Sequence, residues 1–175
     1  NEQPEKALEL ASDMMAKQPE NSYYAYVQGF IYHQMKNYDK AAEYYELAMR
    51  KKDQYWASFY QLAKCHVFQS KWNDALPMYK KLLDRDPENA SLKASLAYIY
   101  SMQGDFKNAS KIYEALLEEQ PKNQYYLENY LALLATQEKK FEKKYSLKFL
   151  NAYDALKEEY PDNKNLSVFE EKYKA

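Results

Sequence analysis

Apolar and small residues recur every three to four positions along most of the chain, in blocks separated by short polar turns. In the first complete block the apolar stripe runs from Tyr24 to Tyr32, stops at a Lys-Asn pair, and resumes from Ala41 to Ala48. This spacing is typical of amphipathic helices. The block therefore predicts a helix, a turn and a second helix, and the following blocks repeat that arrangement.

Pro-x-Asn triplets mark the block boundaries, beginning at Pro19, Pro87, Pro121 and Pro161. Proline disfavours helical geometry in the residue before it, and asparagine is a favourable N-cap for a new helix. We therefore expect ten helices. Paired helices are predicted over 22–51, 55–85, 89–118 and 123–159, with single helices over 5–17 and 164–173.

A fixed repeat period connects the blocks. One constant step separates Ala7, Ala41, Ala75 and Ala109, and the same step separates Tyr45, Tyr79 and Tyr113. Internal similarity at a period of roughly 34 residues is typical of proteins built by stacking one supersecondary unit.

This pattern resembles the tetratricopeptide repeat, which has a small residue and an aromatic in its first helix, an alanine and an aromatic in its second, and a closing proline. The resemblance covers nearly the whole chain. It implies an all-α fold, a right-handed α-solenoid of stacked antiparallel helix pairs whose first helices line a concave groove. The residues that carry it are Gly29, Tyr32, Ala41 and Tyr45, with Asp53 in the proline position; Ala63, His66, Ala75, Tyr79 and Pro87; and Ala97, Tyr100, Ala109, Tyr113 and Pro121.

The expected organisation is a single domain over 1–175. Residues 1–20 hold the second helix of a cut repeat, because its apolar residues have no preceding partner helix. Repeats follow over 21–54, 55–88 and 89–122, then an atypical longer repeat over 123–162 and a capping helix over 163–175. The longer repeat has six extra residues within 137–148, a stretch without Gly or Pro, so we expect both of its helices to lengthen by about one turn.

Composition narrows the functional classes. The 25 Lys and Arg residues balance 26 Asp and Glu residues, so no overall field draws the chain to nucleic acid or to an acidic membrane. No apolar run approaches the length of a membrane span.

The expected location is cytoplasmic or, if a signal or anchor before Asn1 was removed, the cell envelope. Richness in tyrosine and lysine suggests a bacterial source.

One set of residues is not needed by the repeat, and the resemblance places it along the groove. Large, rigid aromatic side chains suit recognition of an extended peptide or a partner helix. The alternative interpretation is that these are ordinary, partly exposed residues of a tyrosine-rich protein. The set consists of Tyr23, Tyr26, Phe30, Tyr60, Lys64, Tyr98, Tyr125 and Asn129.

Some members of the resembled family hold a carboxylate of a chaperone tail with Lys, Asn and Arg side chains of successive first helices. Here only Lys64 and Asn129 could contribute, so that clamp is not expected. A basic cluster near the predicted tip of the longer repeat is interleaved with Glu138 and Glu142, which favours a salt-bridged solvent face over nucleic-acid binding. The cluster consists of Lys139, Lys140, Lys143 and Lys144.

Catalysis is not expected from this sequence. Cys65 with two histidines falls short of a zinc site, and two isolated glycines cannot form a phosphate-binding loop. We expect no cofactor and no metal, and a protein or peptide as the partner. The alternative function is a structural piece of a longer scaffold that self-associates or docks through its N-terminal face or through the 137–148 tip.

Overall fold

The computed structural model describes residues 3–50, 55–136 and 143–174, and in these ranges the chain forms ten α-helices and no strand. The all-α class and the predicted alternation of helices and short turns are therefore confirmed. The helices are α1 (Gln3–Lys17), α2 (Ser22–Gln34), α3 (Tyr38–Met49), α4 (Tyr55–Phe68), α5 (Trp72–Arg85), α6 (Ala90–Met102), α7 (Phe106–Glu119), α8 (Gln124–Ala135), α9 (Lys143–Glu159) and α10 (Leu166–Lys174).

The helices form two compact units. Unit 1, Asn1–Arg85, contains α1 to α5, and each helix packs against the next in sequence, with α2 also touching α4. Unit 2, Asp86–Ala175, contains α6 to α10; α10 packs on both α8 and α9. The repeat boundaries and the single-domain organisation proposed from the sequence stay predictions.

Hydrogen bonds in unit 2 connect elements about one period apart. The Tyr160 hydroxyl donates to the carbonyl of Lys122, 38 residues earlier, at 2.7 Å. Lys148 donates to Glu114 across 34 residues, joining α9 to α7. Each contact therefore joins elements that lie about one repeat period apart in sequence.

The repeat period appears in the core as layers of small and large side chains. Ala41, Ala75 and Ala109 are fully buried, and the ring of Tyr45 is buried in the same layer as Ala41. A Cβ added to Gly29 would lie 2.8 Å from the Tyr45 ring, closer than van der Waals contact allows. Small residues at these positions let the paired helices approach closely enough for the tyrosine rings to fill the space between them.

Asparagine side chains start three of the helices as predicted. The Oδ1 of Asn21 accepts from the backbone N–H of Tyr23 at 3.1 Å, and the Oδ1 of Asn89 accepts from that of Leu92 at 3.0 Å. Asn123 caps α8 in the same way. Each cap satisfies a backbone donor that the first turn of a helix leaves without an intrahelical partner.

The turns of the pairs α2–α3, α4–α5 and α6–α7 share a left-handed residue that the sequence pattern did not predict. Lys36, Ser70 and Gly104, spaced by the repeat period, have φ of 59°, 57° and 77°. The N–H of the next residue donates back to a carbonyl in the last turn of the preceding helix, as from Asn37 to Tyr32 at 2.9 Å. This is the Schellman pattern, which closes a helix and prefers glycine at the left-handed position.

Replacing Lys36 or Ser70 by glycine should therefore raise the free energy of unfolding, by about 0.5–1 kcal/mol each, because a side chain with a Cβ is strained in this conformation. Urea unfolding followed by circular dichroism measures the change. Gly104→Ala is the reverse control: its Cβ would meet nothing within 4 Å, so a loss of about 1 kcal/mol would report backbone strain alone. A gain in that variant would contradict the explanation.

The last helix pair departs from the expected lengthening of both helices. α9 has 17 residues where α7 has 14, so the second helix is longer by about one turn, as predicted. The first helix is not: α8 ends at Ala135, and the Thr136 hydroxyl donates to the carbonyl of Leu133 at 2.7 Å, which helps to close its last turn. Of the basic cluster, Lys139 and Lys140 lie outside the described residues, and Lys143 and Lys144 form the start of α9.

Candidate functional site

An aromatic face runs along α2 and α4 of unit 1. Its α2 residues follow one another at helical spacing of three or four, and the α4 residues at spacing of four. Tyr23, Phe30 and Phe68 keep 50%, 44% and 53% of their surface exposed, unusually large values for aromatic side chains. We define this aromatic face as Tyr23, Tyr26, Phe30 and His33 on α2 with Tyr60, Lys64 and Phe68 on α4.

Ring contacts hold the exposed aromatics in place. The Phe68 ring stacks on that of Tyr38 with centroids 4.7 Å apart and planes 6° from parallel, and the His33 ring meets it edge-on at 5.4 Å. At the other end of α2, the rings of Tyr23 and Tyr26 stack at 6.4 Å. Tyr23 and Phe68 are therefore exposed rings whose motion neighbouring rings restrict, which leaves them less rotational freedom to lose on binding.

Lys64 is the cation of this face. Its Nζ lies 5.6 Å from the centre of the Tyr60 ring, within range of a cation–π interaction. Burial and the charge of Lys64 lower the pKa of His33, so the imidazole is neutral at pH 7.

In unit 2, Tyr98 and Tyr125 lie close together. Partial desolvation of its hydroxyl raises the pKa of Tyr125 although about half of the residue is exposed, and the neighbouring hydroxyl of Tyr98 raises that pKa further. The Tyr125 side chain is 51% exposed. Asn129 lies one turn along α8 and donates from its side-chain amide to the Tyr125 carbonyl at 2.7 Å, so part of its hydrogen-bonding capacity is used within its own helix.

Of the eight groove residues predicted from the sequence, five are on α2 and α4 of unit 1 and three are on α6 and α8 of unit 2, and that they line a groove stays a prediction. His33 and Phe68 were not among the predicted residues. Phe68 follows Tyr60 and Lys64 at successive steps of four, a spacing that places all three on one side of a helix. That spacing was visible in the sequence, whereas the contact between His33 and Phe68 joins two helices and was not.

Burial keeps three titratable side chains of the described ranges in their neutral form. Burial raises the pKa of the Cys65 thiol to about 11, so it stays protonated and unreactive at pH 7. Burial also raises the pKa values of Tyr45 and Tyr113, whose hydroxyls have no hydrogen-bond partner among the described residues. Among the same described residues, no group of three or more His, Cys, Asp or Glu side chains is placed to hold a metal ion.

A separate cavity of about 360 Å³ opens between α7, α8 and α9 in unit 2. Its polar end is the Glu114 carboxylate, which accepts hydrogen bonds from Ser110, Tyr130 and Lys148. Partial burial raises the pKa of Glu114 and these hydrogen bonds lower it by more, so the net shift is downward. The carboxylate is already satisfied by protein donors, which makes this network structural.

Two family models described as tetratricopeptide repeats match the sequence, one over residues 23–50 and the other over 66–135. Together they span more than half of the chain. Within the described ranges, no helix has the length and apolar character needed to cross a membrane.

Similar proteins include an "Uncharacterized lipoprotein" of Treponema pallidum (strain Nichols), 29% identical over 143 residues, which are 82% of this chain and 71% of the relative. Among solved structures, YrrB, "a TPR protein with an unusual peptide-binding site", superposes with a TM-score of 0.77 at 19% identity over 97% of this chain and 84% of its own. MamA from Desulfovibrio magneticus RS-1 gives a TM-score of 0.76 at 13% identity, covering 90% and 88%. At such identities the two structures establish a shared fold alone.

Proposed function

Because this chain belongs to the tetratricopeptide repeat family, whose helix pairs generally serve as non-catalytic interaction modules, we propose that it binds a peptide segment of another protein on the aromatic face of unit 1. The observation that carries the proposal is the set of exposed rings at Tyr23, Phe30 and Phe68, each large and apolar yet in contact with water. Exposed aromatic anchors of this kind dominate the binding energy of protein interfaces.

The restricted motion of the Phe68 ring supports the proposal. Tyr38 and His33 fix the Phe68 ring from two sides, so binding there costs less side-chain entropy than it would for a freely rotating ring. Lys64 supplies a positive charge beside Tyr60 that suits an acidic group on the same peptide. YrrB, described as a TPR protein with an unusual peptide-binding site, shares this fold, which is consistent with such a use.

Tyr98, Tyr125 and Asn129 form a second candidate contact area in unit 2. Tyr125 has the exposure expected of a contact residue, and Asn129 retains an amide oxygen that can accept a hydrogen bond. We propose that they contribute to the same kind of binding. The name of the Treponema relative supports the cell-envelope location, which fractionation of cells carrying the full-length protein tests.

The proposal predicts that Phe30→Ala and Phe68→Ala each weaken peptide binding by at least about tenfold. The probe is a set of peptides enriched from a random display library on the unaltered protein, then synthesised and titrated by fluorescence anisotropy. Phe30 is substantially exposed, so its replacement should leave the thermal unfolding midpoint almost unchanged. Phe68→Ala also loses the ring contacts with Tyr38 and His33, so we expect it to cost about 0.5–1.5 kcal/mol of stability while the protein stays folded at the assay temperature.

Leu10→Ala is the matched control for that experiment, because Leu10 is an exposed large apolar residue on α1, outside the aromatic face. It should leave the peptide affinity unchanged. The aromatic-face proposal would be rejected if the library enriches no peptide. It would also be rejected if the two phenylalanine variants bind the peptides as tightly as the unaltered protein does. A dimer in analytical ultracentrifugation that Leu10→Ala dissociates would instead support the scaffold alternative.

A further inference from the structure

Three aromatic rings in the first turns of α4 hold two cations from the end of α5. The rings of Tyr55 and Phe59 stack at 5.8 Å, and the Trp56 ring meets each edge-on. Lys81 Nζ lies 5.3–5.8 Å from the centres of all three rings. The Arg85 guanidinium carbon lies 3.9 Å from the centre of the Trp56 ring.

Both cations differ from the lysines that pair with a carboxylate. Lys93 pairs with Glu88, Lys122 with Glu159 and Lys148 with Glu114. Neither Lys81 nor Arg85 has an ion pair with a carboxylate anywhere in 3–50, 55–136 or 143–174. The rings of Tyr55, Trp56 and Phe59 therefore position two positive charges that no acidic residue in these ranges neutralises.

Stacking determines which part of Arg85 stays available. A guanidinium that lies over an aromatic ring uses its flat face, and its N–H groups point outward in the plane, where they match the two oxygens of a carboxylate or phosphate. Lys81 lies one helical turn before Arg85, and its Nζ is 5.6 Å from the centre of the same indole ring. Its ammonium therefore adds a positive charge near the guanidinium N–H groups. Both side chains are exposed.

We propose that Lys81 and Arg85, held on the rings of Tyr55, Trp56 and Phe59, form a binding site for one oxyanion group of a peptide, a carboxylate or a phosphate. Asp84 and Asp86 flank Arg85 in sequence and the protein has a net charge of −1, so a polyanion such as nucleic acid is disfavoured while a single oxyanion is accommodated. The site uses residues outside the aromatic face of unit 1 and does not depend on peptide binding there.

The two tryptophans of the chain, Trp56 and Trp72, provide a direct readout. In a nitrogen-15 NMR spectrum they give two indole signals, and Trp56→Phe identifies the one that belongs to the site. The probes are a tetrapeptide of glutamate, a tetrapeptide of glutamine, a phosphoserine peptide and inorganic phosphate. We expect the Trp56 signal to shift saturably with the glutamate or the phosphoserine peptide and to stay unmoved with the glutamine peptide.

Arg85→Gln should weaken the binding of the oxyanion peptide by about tenfold or more. Arg85→Lys keeps the charge but loses the paired N–H groups, so it should weaken that binding less. Lys157→Gln is the matched control: it removes the same charge from an exposed lysine that lies over the single ring of Tyr153 at 5.7 Å. It should leave the affinity unchanged. Circular dichroism melting verifies that each variant is folded.

A response to the glutamate peptide supports a carboxylate as the ligand, and a response to the phosphoserine peptide alone supports a phosphate. The proposal is overturned if neither peptide shifts the Trp56 signal at millimolar concentration, or if inorganic phosphate is the only probe that shifts it. It is also overturned if the Arg85→Gln variant binds the peptide as tightly as the unaltered protein does. Phe30→Ala and Phe68→Ala should leave this titration unchanged, so failure of the aromatic-face proposal and failure of this site give different results.

Discussion

Replacement of Tyr113 by alanine should lower the free energy of unfolding by about 3–5 kcal/mol, the range for removing a large buried ring. The Tyr113 side chain is fully buried in the core of unit 2, with the Tyr130 ring 6.3 Å away. Its removal leaves a cavity that the surrounding helices cannot close, because fully buried Leu116 and Leu131 already belong to the same core. Urea unfolding measures the loss.

Tyr113→Phe is the control that separates the ring from its hydroxyl. That hydroxyl is buried and finds no hydrogen-bond partner in the part of the chain that the structure describes. Removing an unsatisfied polar group while keeping the ring should leave stability unchanged or raise it by up to about 1 kcal/mol. A loss of about 1–3 kcal/mol would mean that the hydroxyl is hydrogen-bonded in solution, contrary to this assignment.

Ala41→Leu should destabilise unit 1 by about 1–3 kcal/mol, because the added atoms have no space. Ala41 is fully buried, and its carbonyl oxygen would lie only 3.2 Å from a Cβ placed on Gly29, which shows how closely α2 and α3 approach. A larger side chain must push these helices apart or force the Tyr45 ring out of its position. The shift in the urea midpoint gives the size of the effect.

The same alanine column provides the control. Ala7 lies one repeat period before Ala41, at the equivalent point of the pattern, but it is exposed on α1. Alanine and leucine have similar helix propensities, so Ala7→Leu should change stability by less than about 0.5 kcal/mol. Equal losses in the two variants would show that the leucine acts through local helix structure and not through packing.

Much of the secondary structure was predictable because the signals are local. The apolar spacing, the Pro-x-Asn triplets and the repeat period placed the helix ends within a few residues of the observed ones. α8 was predicted too long because no Gly or Pro marks its end, and the side chain of Thr136 is a weaker signal. The left-handed turns were missed because Lys36 and Ser70 occupy a conformation that usually indicates glycine.

The candidate site was predictable one helix at a time. Helical spacing alone places Tyr23, Tyr26 and Phe30 on one side of α2. Contacts between helices were not predictable in this way, since the His33 ring meets that of Phe68 only after α2 and α4 have packed. The same limit applies to Trp56 and Arg85, which lie on different helices and meet through the α4–α5 pair.

The hydrogen bonds between elements about one period apart have a consequence for biosynthesis. When Tyr160 leaves the ribosome, Lys122, its partner, has already emerged, and the same holds for Lys148 and Glu114. Neither contact waits for a distant part of the chain, because the partner was made only about one period earlier. Helix pairs can therefore assemble in the order of synthesis, which limits the time that newly made apolar surface is open to aggregation.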